Sequence, residues 1–485
     1  MDDYSYCGFQ IGSDGGMERG ACMVSFSDLG IEPVLVNALK TQGILEPFEV
    51  QKESIPDAML GKDVCCRAPT GSGKTLAFGL PLLSRTTEAE PRRPTSLILT
   101  PTRELAEQIY KVLDPLAYDL KLYVEAMYGG VSYQKQFRAL DRGVDVLVAC
   151  PGRLLDLMER GSLSLDDVSV VVLDEADRML DMGFSDDMTD IISETPSSRQ
   201  TLLFSATFPD DIASISAQYQ RTPERITVST QVADGQIAQI FVRTQRSDKT
   251  QTLINLIQGY QPSAAVIFCQ TKAAVHDLVI MLKAQGVEAA GLHGDLEQRE
   301  RDQVLLLFKQ MSLRLLVATD VAARGLDIDS LPLVVNFDLP ADPEVYVHRI
   351  GRTGRGQATG TAVSLFTDKE AFRLPAIEAR LSIMITAIDP PKYEADQPVL
   401  APADFVTLEL SLGRKDKLRP GDLLGAITGS LGFPGSIVGK IDITDRASFV
   451  AIERGSASAV QAALADGKVK GRHPKVRRLR PPRSG

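Results

Sequence analysis

Short, unbroken apolar runs recur along most of this 485-residue chain, and no other feature restricts its fold as much. SLILT (96–100), VDVLVAC (144–150), VVVLDEAD (170–177) and TLLFSAT (201–207) are rich in β-branched residues and alternate with segments of helical apolar spacing. A strand that faces water on one side alternates apolar and polar residues. A run that is apolar throughout is buried on both faces, as in a parallel sheet covered by helices. Joined by right-handed crossovers, these strands predict a doubly wound α/β domain. AAVIFCQT (264–271), LRLLVATD (313–320) and LPLVVNFDLP (331–340) then repeat the pattern, predicting a second such domain that ends near Ile388.

Beyond Ile388 the pattern changes in kind. DPPKYEADQP (389–398) reads as a linker, and after it the order is strand (FVTLEL, 405–410), helix (420–432), two strands (VGKIDIT and SFVAIE), helix (456–467) and strand (HPKVRRL). That is βαββαβ, with Pro420 opening one helix, Ser456 as N-cap of the other and Gly467 past its end. The expected organisation is a disordered leader at 1–22, α/β domains at 23–232 and 233–390, a linker at 391–403 and the small domain at 404–485.

Composition narrows the function classes. Apolar residues are 44% of the chain and charged residues 24%, and no stretch approaches the roughly 18–20 apolar residues of a membrane span. The acidic start MDDYSYCGFQ is unlike a secretory signal, so a cytoplasmic protein is expected. Cys65, Cys66, Cys150 and Cys269 lie in apolar runs without zinc-like spacing and read as buried thiols. The net charge of −10 is uneven: residues 401–485 hold 15 Lys and Arg against 8 Asp and Glu, which leaves +7 there and −17 in the rest. A basic domain on an acidic body points to nucleic acid at one end.

APTGSGKT (68–75) follows the strand-like DVCCR and precedes an apolar helical stretch. In that setting the backbone of Gly71 and Gly73 can close around phosphates, Lys74 can reach the β and γ phosphates, and Thr75 can ligate Mg²⁺. Ala68 replaces the usual first glycine; a merely flexible loop is the bland alternative. VVVLDEAD ends a strand in Asp174 and Glu175, placed to hold Mg²⁺ and to orient or deprotonate water, although an acidic helix start would also favour carboxylates. HRIGRTGR (348–355) spaces three arginines at intervals of three, either an exposed basic turn or a source of charge for a transferring phosphoryl group. With the arginines in one domain and the loop in the other, catalysis would require domain closure.

Taken together, APTGSGKT, PTRELA (101–106), Gly129 with Gly130, CPGR (150–153), DEAD (174–177), SAT (205–207), ATDVAARGLDI (318–328) and HRIGRTGR resemble the DEAD-box RNA helicases in content and order over about residues 26–385. The resemblance implies two tandem RecA-like domains and an RNA-stimulated ATPase using ATP and Mg²⁺. It implies ATP binding by Phe26, Gln51, Ala68, Thr70, Gly71, Ser72, Gly73, Lys74, Thr75 and Asp327, with Phe26 stacking near the adenine and the Gln51 amide as the adenine's hydrogen-bonding partner. Lys74, Asp174, Glu175, Arg352 and Arg355 would be catalytic, with metal at Thr75 and Asp174. Ser205, Thr207, Asp177 and His348 would couple hydrolysis to strand separation. RNA backbone contacts would come from Pro101, Thr102, Arg103, Gly129, Gly130 and Arg153, and from Thr271, Arg301 and Thr319. Cys150 departs from the usual Thr before PGR, which removes a hydroxyl.

The tail is similar to the RNA-binding domain of the DbpA helicases, an RRM-like fold, which implies targeting to a hairpin of large-subunit (23S) ribosomal RNA in ribosome assembly. Period-2 alternation sends Val406, Leu408, Leu410, Ile441, Ile443, Val450 and Ile452 inward and leaves Thr407, Glu409, Asp442, Thr444, Phe449 and Ala451 outward. One aromatic and two acids make a poor base-stacking platform. Lys468, Lys470, Arg472, Lys475, Arg477 and Arg478 are therefore the expected RNA contacts. Three classes stay open on sequence alone: an RNA helicase, a DNA helicase, and an RNA clamp that unwinds little. A monomer without membrane association is expected.

Overall fold

The computed structural model describes residues 24–69, 71–207, 210–228, 237–323, 331–354, 359–391 and 398–482, so the expected disordered leader lies outside the described residues. The chain forms two compact units, Met1–Ser229 and Thr230–Gly485.

In the first unit β1 (Val64–Arg67), β2 (Ser96–Leu99), β3 (Val124–Met127), β4 (Val146–Ala149), β5 (Val170–Asp174), β6 (Gln200–Ser205) and β7 (Glu224–Thr227) form one parallel sheet in the order β3-β4-β2-β5-β6-β1-β7. Neighbouring residues of a strand enter opposite cores. Ile98, Val172 and Phe204 join helix Lys74–Arg85 on one face, while Leu97, Leu99, Val171 and Leu203 pack on the other. Two-sided burial is why the runs carry no polar alternation. Phe78 meets Phe204 edge-on at 5.4 Å between ring centroids, tying the helix after the phosphate loop to the strand beneath it.

The second unit repeats the plan with β8 (Ile237–Arg243), β9 (Ala265–Phe268), β10 (Ala289–Leu292), β11 (Leu315–Ala318), β12 (Leu333–Asn336), β13 (Gly360–Phe366) and β14 (Ala387–Ile388), ordered β10-β11-β9-β12-β13-β8-β14 and parallel throughout. Cys65, Cys66, Cys150 and Cys269 are free and buried, as expected. No helix among the described residues is long and apolar enough to cross a membrane.

The small domain also belongs to this unit. β15 (Phe405–Leu410), β16 (Val438–Ile443), β17 (Ser448–Glu453) and β18 (Val476–Arg478) form an antiparallel sheet in the order β16-β17-β15-β18, with helices Pro420–Gly425 and Ala457–Asp466 completing βαββαβ. Leu408, Leu410, Val450 and Ile452 are buried in its core and Val406, Ile441 and Ile443 pack against it, as the alternation predicts.

The other face is not open. Thr407 and Ala451 are 0% and 1% exposed because the sheet is docked on the second α/β domain. Ser312 Oγ and Thr407 Oγ1 lie 2.7 Å apart, and Gln310 Nε2 donates to Asp442 Oδ2 at 3.1 Å and to Phe449 O at 3.4 Å. Arg314 pairs with Asp404 at 2.9 Å, Gln303 donates to Arg480 O, and Leu479 packs on the apolar cluster of Val304 and Phe308. The expected linker is pinned at both ends: Asn255 donates to Pro391 O, Gln261 donates to Val399 O, and Leu400 enters the domain core. Sequence alternation identifies residues that leave their own core. What then covers them is a tertiary fact.

Candidate nucleotide and RNA site

Strand order gathers the motifs of the first unit. β6 lies between β5 and β1, so the SAT segment at its end falls between the DEAD segment after β5 and the phosphate loop after β1. Sites of open α/β sheets form at these carboxyl ends.

The loop begins at Ala68, fully buried, whose N–H donates to Ser205 O at 2.9 Å. Gly71 and Gly73 have φ of 81° and 90°, values that suit glycine. A Cβ on Gly73 would also lie 2.5 Å from Gln51 Nε2, so a side chain is excluded there twice over. Ser72 Oγ donates to Pro69 O at 2.8 Å. Lys74 opens helix Lys74–Arg85, is 7% exposed, and donates from Nζ to Ala68 O at 2.9 Å across the loop. Thr75 follows on the first turn, and Thr70 lies outside the described residues.

Gln51 is joined to this loop. Its Nε2 donates to Gly73 O at 2.9 Å and its Oε1 accepts from Phe48 N at 2.9 Å. One N–H and one lone pair of the amide remain, which is what reading an adenine edge would use. Phe26, expected to stack on the adenine, is instead a core residue at 2% exposure, packed among Leu29, Leu35 and Ile55. The open ring beside the loop is Phe48, 62% exposed, which the sequence reading missed although it stands in the same GILEPFEVQ segment.

Asp174 is buried at the end of β5 and accepts from Glu175 N at 3.0 Å. Burial pushes its carboxyl up to about 7, helped by the neighbouring Glu175 and Asp177 and opposed by Lys74. The folded chain therefore binds this proton more tightly than the unfolded chain does. The resulting stability is greatest below the ordinary carboxylate value of 3.8 and is lost as pH rises to about 7. A buried acid crowded by carboxylates, with a hydroxyl at Thr75, is a hard-oxygen set that suits Mg²⁺. No group of three or more metal-binding side chains occurs among the described residues, and Mg²⁺ carried on phosphates needs only one or two carboxylates. Proton and metal would compete for Asp174. Nucleotide affinity in Mg²⁺ is expected to tighten through about pH 7, and Asp174→Asn to flatten that dependence. Unchanged pH dependence of nucleotide binding in the Asn variant would refute the assignment.

Three residues expected to couple hydrolysis to strand separation meet in this unit. Asp177 Oδ2 accepts from Thr207 N at 3.0 Å and from Thr207 Oγ1 at 2.8 Å, and Ser205 Oγ donates to Thr207 O at 2.6 Å. The DEAD and SAT segments are thus bonded to each other.

The expected RNA residues of the first unit also converge in part. Thr102 caps helix Arg103–Asp119, accepting from Leu105 N, next to the buried Pro101. The Arg103 guanidinium lies along Gly129 and Gly130, where added Cβ atoms would come within 3.2 and 2.4 Å of it. Arg153 is spent internally: it donates to Gln136 Oε1 at 2.6 Å and Val131 O at 3.2 Å and lies over the Tyr133 ring. Cys150 is buried at the start of helix Pro151–Glu159, and burial pushes its thiol up to about 12.

In the second unit Thr271 caps helix Lys272–Ala284 as Thr102 does in the first, accepting from Ala274 N at 3.1 Å. Arg301 donates to Ala322 O at 2.8 Å, and Thr319 follows β11. Arginines 349 and 352 of HRIGRTGR differ in what surrounds them. Arg349, 2% exposed, grips the Asp320 carboxylate at 2.6 and 2.8 Å and also donates to Asn336 and Asp338 O. Arg352 is buried at 6% exposure, and His348 lies in the last turn of helix Pro343–Ile350. Asp327 and Arg355 lie outside the described residues.

The basic residues of the small domain are exposed, but several already have acidic partners: Arg477 with Glu409 at 2.7 Å, Lys470 with Asp422 at 2.8 Å, and Arg472 with Asp416. Such exposed pairs are worth little in water, so a phosphate can replace the acid. Lys468 and Lys475 flank them, and Arg478 bonds Gln461 and Ser458 on the helix side.

Three family models match successive parts of the chain. Residues 48–215 match the DEAD/DEAH box helicase family, 248–357 the helicase conserved C-terminal domain, and 407–478 the DbpA RNA binding domain. The ATP-dependent RNA helicase DbpA of Escherichia coli K12 is 44% identical over 460 residues, covering 94% of this chain and 100% of that protein. The ATP-dependent RNA helicase CshA of Limosilactobacillus reuteri is 41% identical over 76% of this chain and 75% of its own length. Among solved structures, S. cerevisiae Dbp5 bound to RNA and ADP BeF3 aligns with a TM-score of 0.68 at 32% identity, covering 76% of this chain and 96% of that one. The motifs, both parallel sheets and the small terminal sheet agree in one conclusion: the chain belongs to the DEAD-box ATP-dependent RNA helicases, in the DbpA subfamily.

Proposed function

We propose that this RNA-stimulated ATPase opens short RNA duplexes locally and that its terminal domain directs it to large-subunit (23S) ribosomal RNA during ribosome assembly, as a cytoplasmic monomer. The observation that carries the motor part is the bonded cluster of phosphate loop, Asp174–Glu175 and Asp177–Thr207–Ser205 on one sheet edge. Lys74 would leave Ala68 O for the β and γ phosphates, and Gln51 would meet the adenine with its remaining N–H and lone pair. Mg²⁺ held by Asp174 and Thr75 would neutralise phosphate charge. Glu175 orients the attacking water. Arg352 and Arg355 would answer the charge that develops on the transferring phosphoryl group, worth ~10³–10⁵ in rate for such arginines, with Asp327 at the ribose. Asp177, Thr207, Ser205 and His348 would pass the loss of the γ phosphate to the RNA-holding segments around Arg103, Gly129 and Gly130, and around Thr271, Arg301 and Thr319.

The docked sheet supports recognition by the basic edges of the terminal domain, since the face that stacks bases in many RNA-recognition domains is covered here. Binding through phosphates is salt-dependent, and each lost contact lowers the slope of log affinity against log salt by about 0.7–0.9. Replacing Arg477 and Arg478 together with Ala should weaken binding to a large-subunit rRNA hairpin and flatten that slope, while Phe449→Ala changes neither. Equal losses from the two variants would exclude edge recognition.

A further inference from the structure

Arg178 is one of the largest fully buried side chains among the described residues, at 2% exposure, and it stands in the short helix Ala176–Asp181. Its Nε lies 3.3 Å from Glu175 Oε2, itself buried. Yet none of its three guanidinium nitrogens, nor Glu175 Oε2, makes a hydrogen bond among the described residues. Glu175 in turn holds a left-handed backbone, φ 53°, a conformation that L residues other than Asn and Asp rarely take.

Stability does not account for this arrangement. A buried ion pair without aligned hydrogen bonds recovers little of its desolvation, and apolar replacements of similar volume are often neutral or stabilising. Backbone strain of this kind persists where function uses it. Two unfavourable features, a buried ion pair without aligned hydrogen bonds and a left-handed backbone, meet at one place, and the group they share is Glu175.

We propose that Arg178 is a positioning residue for Glu175: its buried guanidinium draws the carboxylate into place by charge alone. Because the attraction is not a directed hydrogen bond, the carboxylate keeps its lone pairs for the attacking water. An aligned, bidentate pair would occupy those lone pairs and hold the group too firmly. The inference rests on the reading of Glu175 as the residue that orients water.

The test uses the full chain at saturating RNA. Arg178→Met should lower kcat for ATP by about 10- to 100-fold, the scale of a misplaced catalytic group, with KM for ATP and RNA affinity unchanged. Arg178→Lys, which keeps the charge, should recover most of the loss. In a Glu175→Gln background Arg178→Met should add no further loss. Wild-type kcat in Arg178→Met, equal damage from Met and Lys, or a full additional loss in the Gln background would each overturn the proposal. Should the Met variant fail to fold, Arg178→Gln reads the same step, with the same outcomes counting against it. Wild-type hydrolysis by Glu175→Gln alone would instead overturn the underlying reading of Glu175.

Discussion

Lys74→Ala is expected to lower RNA-stimulated ATP hydrolysis by at least on the order of 10²–10³-fold, the loss typical of a single group that stabilises developing charge. Two effects combine. The ammonium that would meet the β and γ phosphates is lost, and so is the charge that holds the buried Asp174 carboxyl down. Asp174 would then keep its proton to still higher pH and hold Mg²⁺ less well. Stability should change little, because among the described residues the Lys74 side chain makes one hydrogen bond, to Ala68 O, and alanine is an excellent helix former. Steady-state hydrolysis and thermal unfolding, measured on the same protein, separate the two. Hydrolysis near the wild-type rate in a folded Ala variant would remove the loop from the mechanism.

Arg349→Ala is expected to have the largest effect on stability. Its guanidinium is the bidentate partner of Asp320 and also serves Asn336 and Asp338 O beneath the second sheet's carboxyl edge, with Phe268 at 5.1 Å from its centre. Breaking such a buried pair from one side leaves the acid uncompensated and costs about 3–5 kcal/mol. For a unit of this size the midpoint should fall by on the order of 10 °C. A loss of hydrolysis with no change in thermal midpoint would instead make Arg349 a phosphate contact.

That contrast shows where sequence reading stops. HRIGRTGR presents three arginines in equivalent spacing, and nothing in the spacing says that Arg349 is committed to Asp320, which stands 29 residues earlier. The two parallel sheets, by contrast, are legible because burial on both faces leaves its mark on every residue of a strand. The phosphate loop and DEAD segment are legible for a related reason: their chemistry is local, set by a strand end and the helix after it. Phe26 is misleading because an aromatic residue near a motif can serve core or ligand equally well, and the core cluster around Leu35 decides it. Thr407 and Ala451 do leave their own core as the alternation predicts, yet a small polar residue on a central strand also fits a docked face. Gln310 and Ser312, which cover that face, carry no local signal beyond being uncharged between two basic neighbours, Lys309 and Arg314. Only its burial in the structure singles out Arg178.

The central claim is an ATP-driven motor that its terminal domain delivers to one kind of RNA. The most direct test is ATP hydrolysis by the intact chain, titrated with large-subunit rRNA, with an unrelated RNA of equal length and with single-stranded DNA. Stimulation by the rRNA is expected at far lower concentration than by the unrelated RNA, with none by DNA; equal stimulation by all three would contradict the claim.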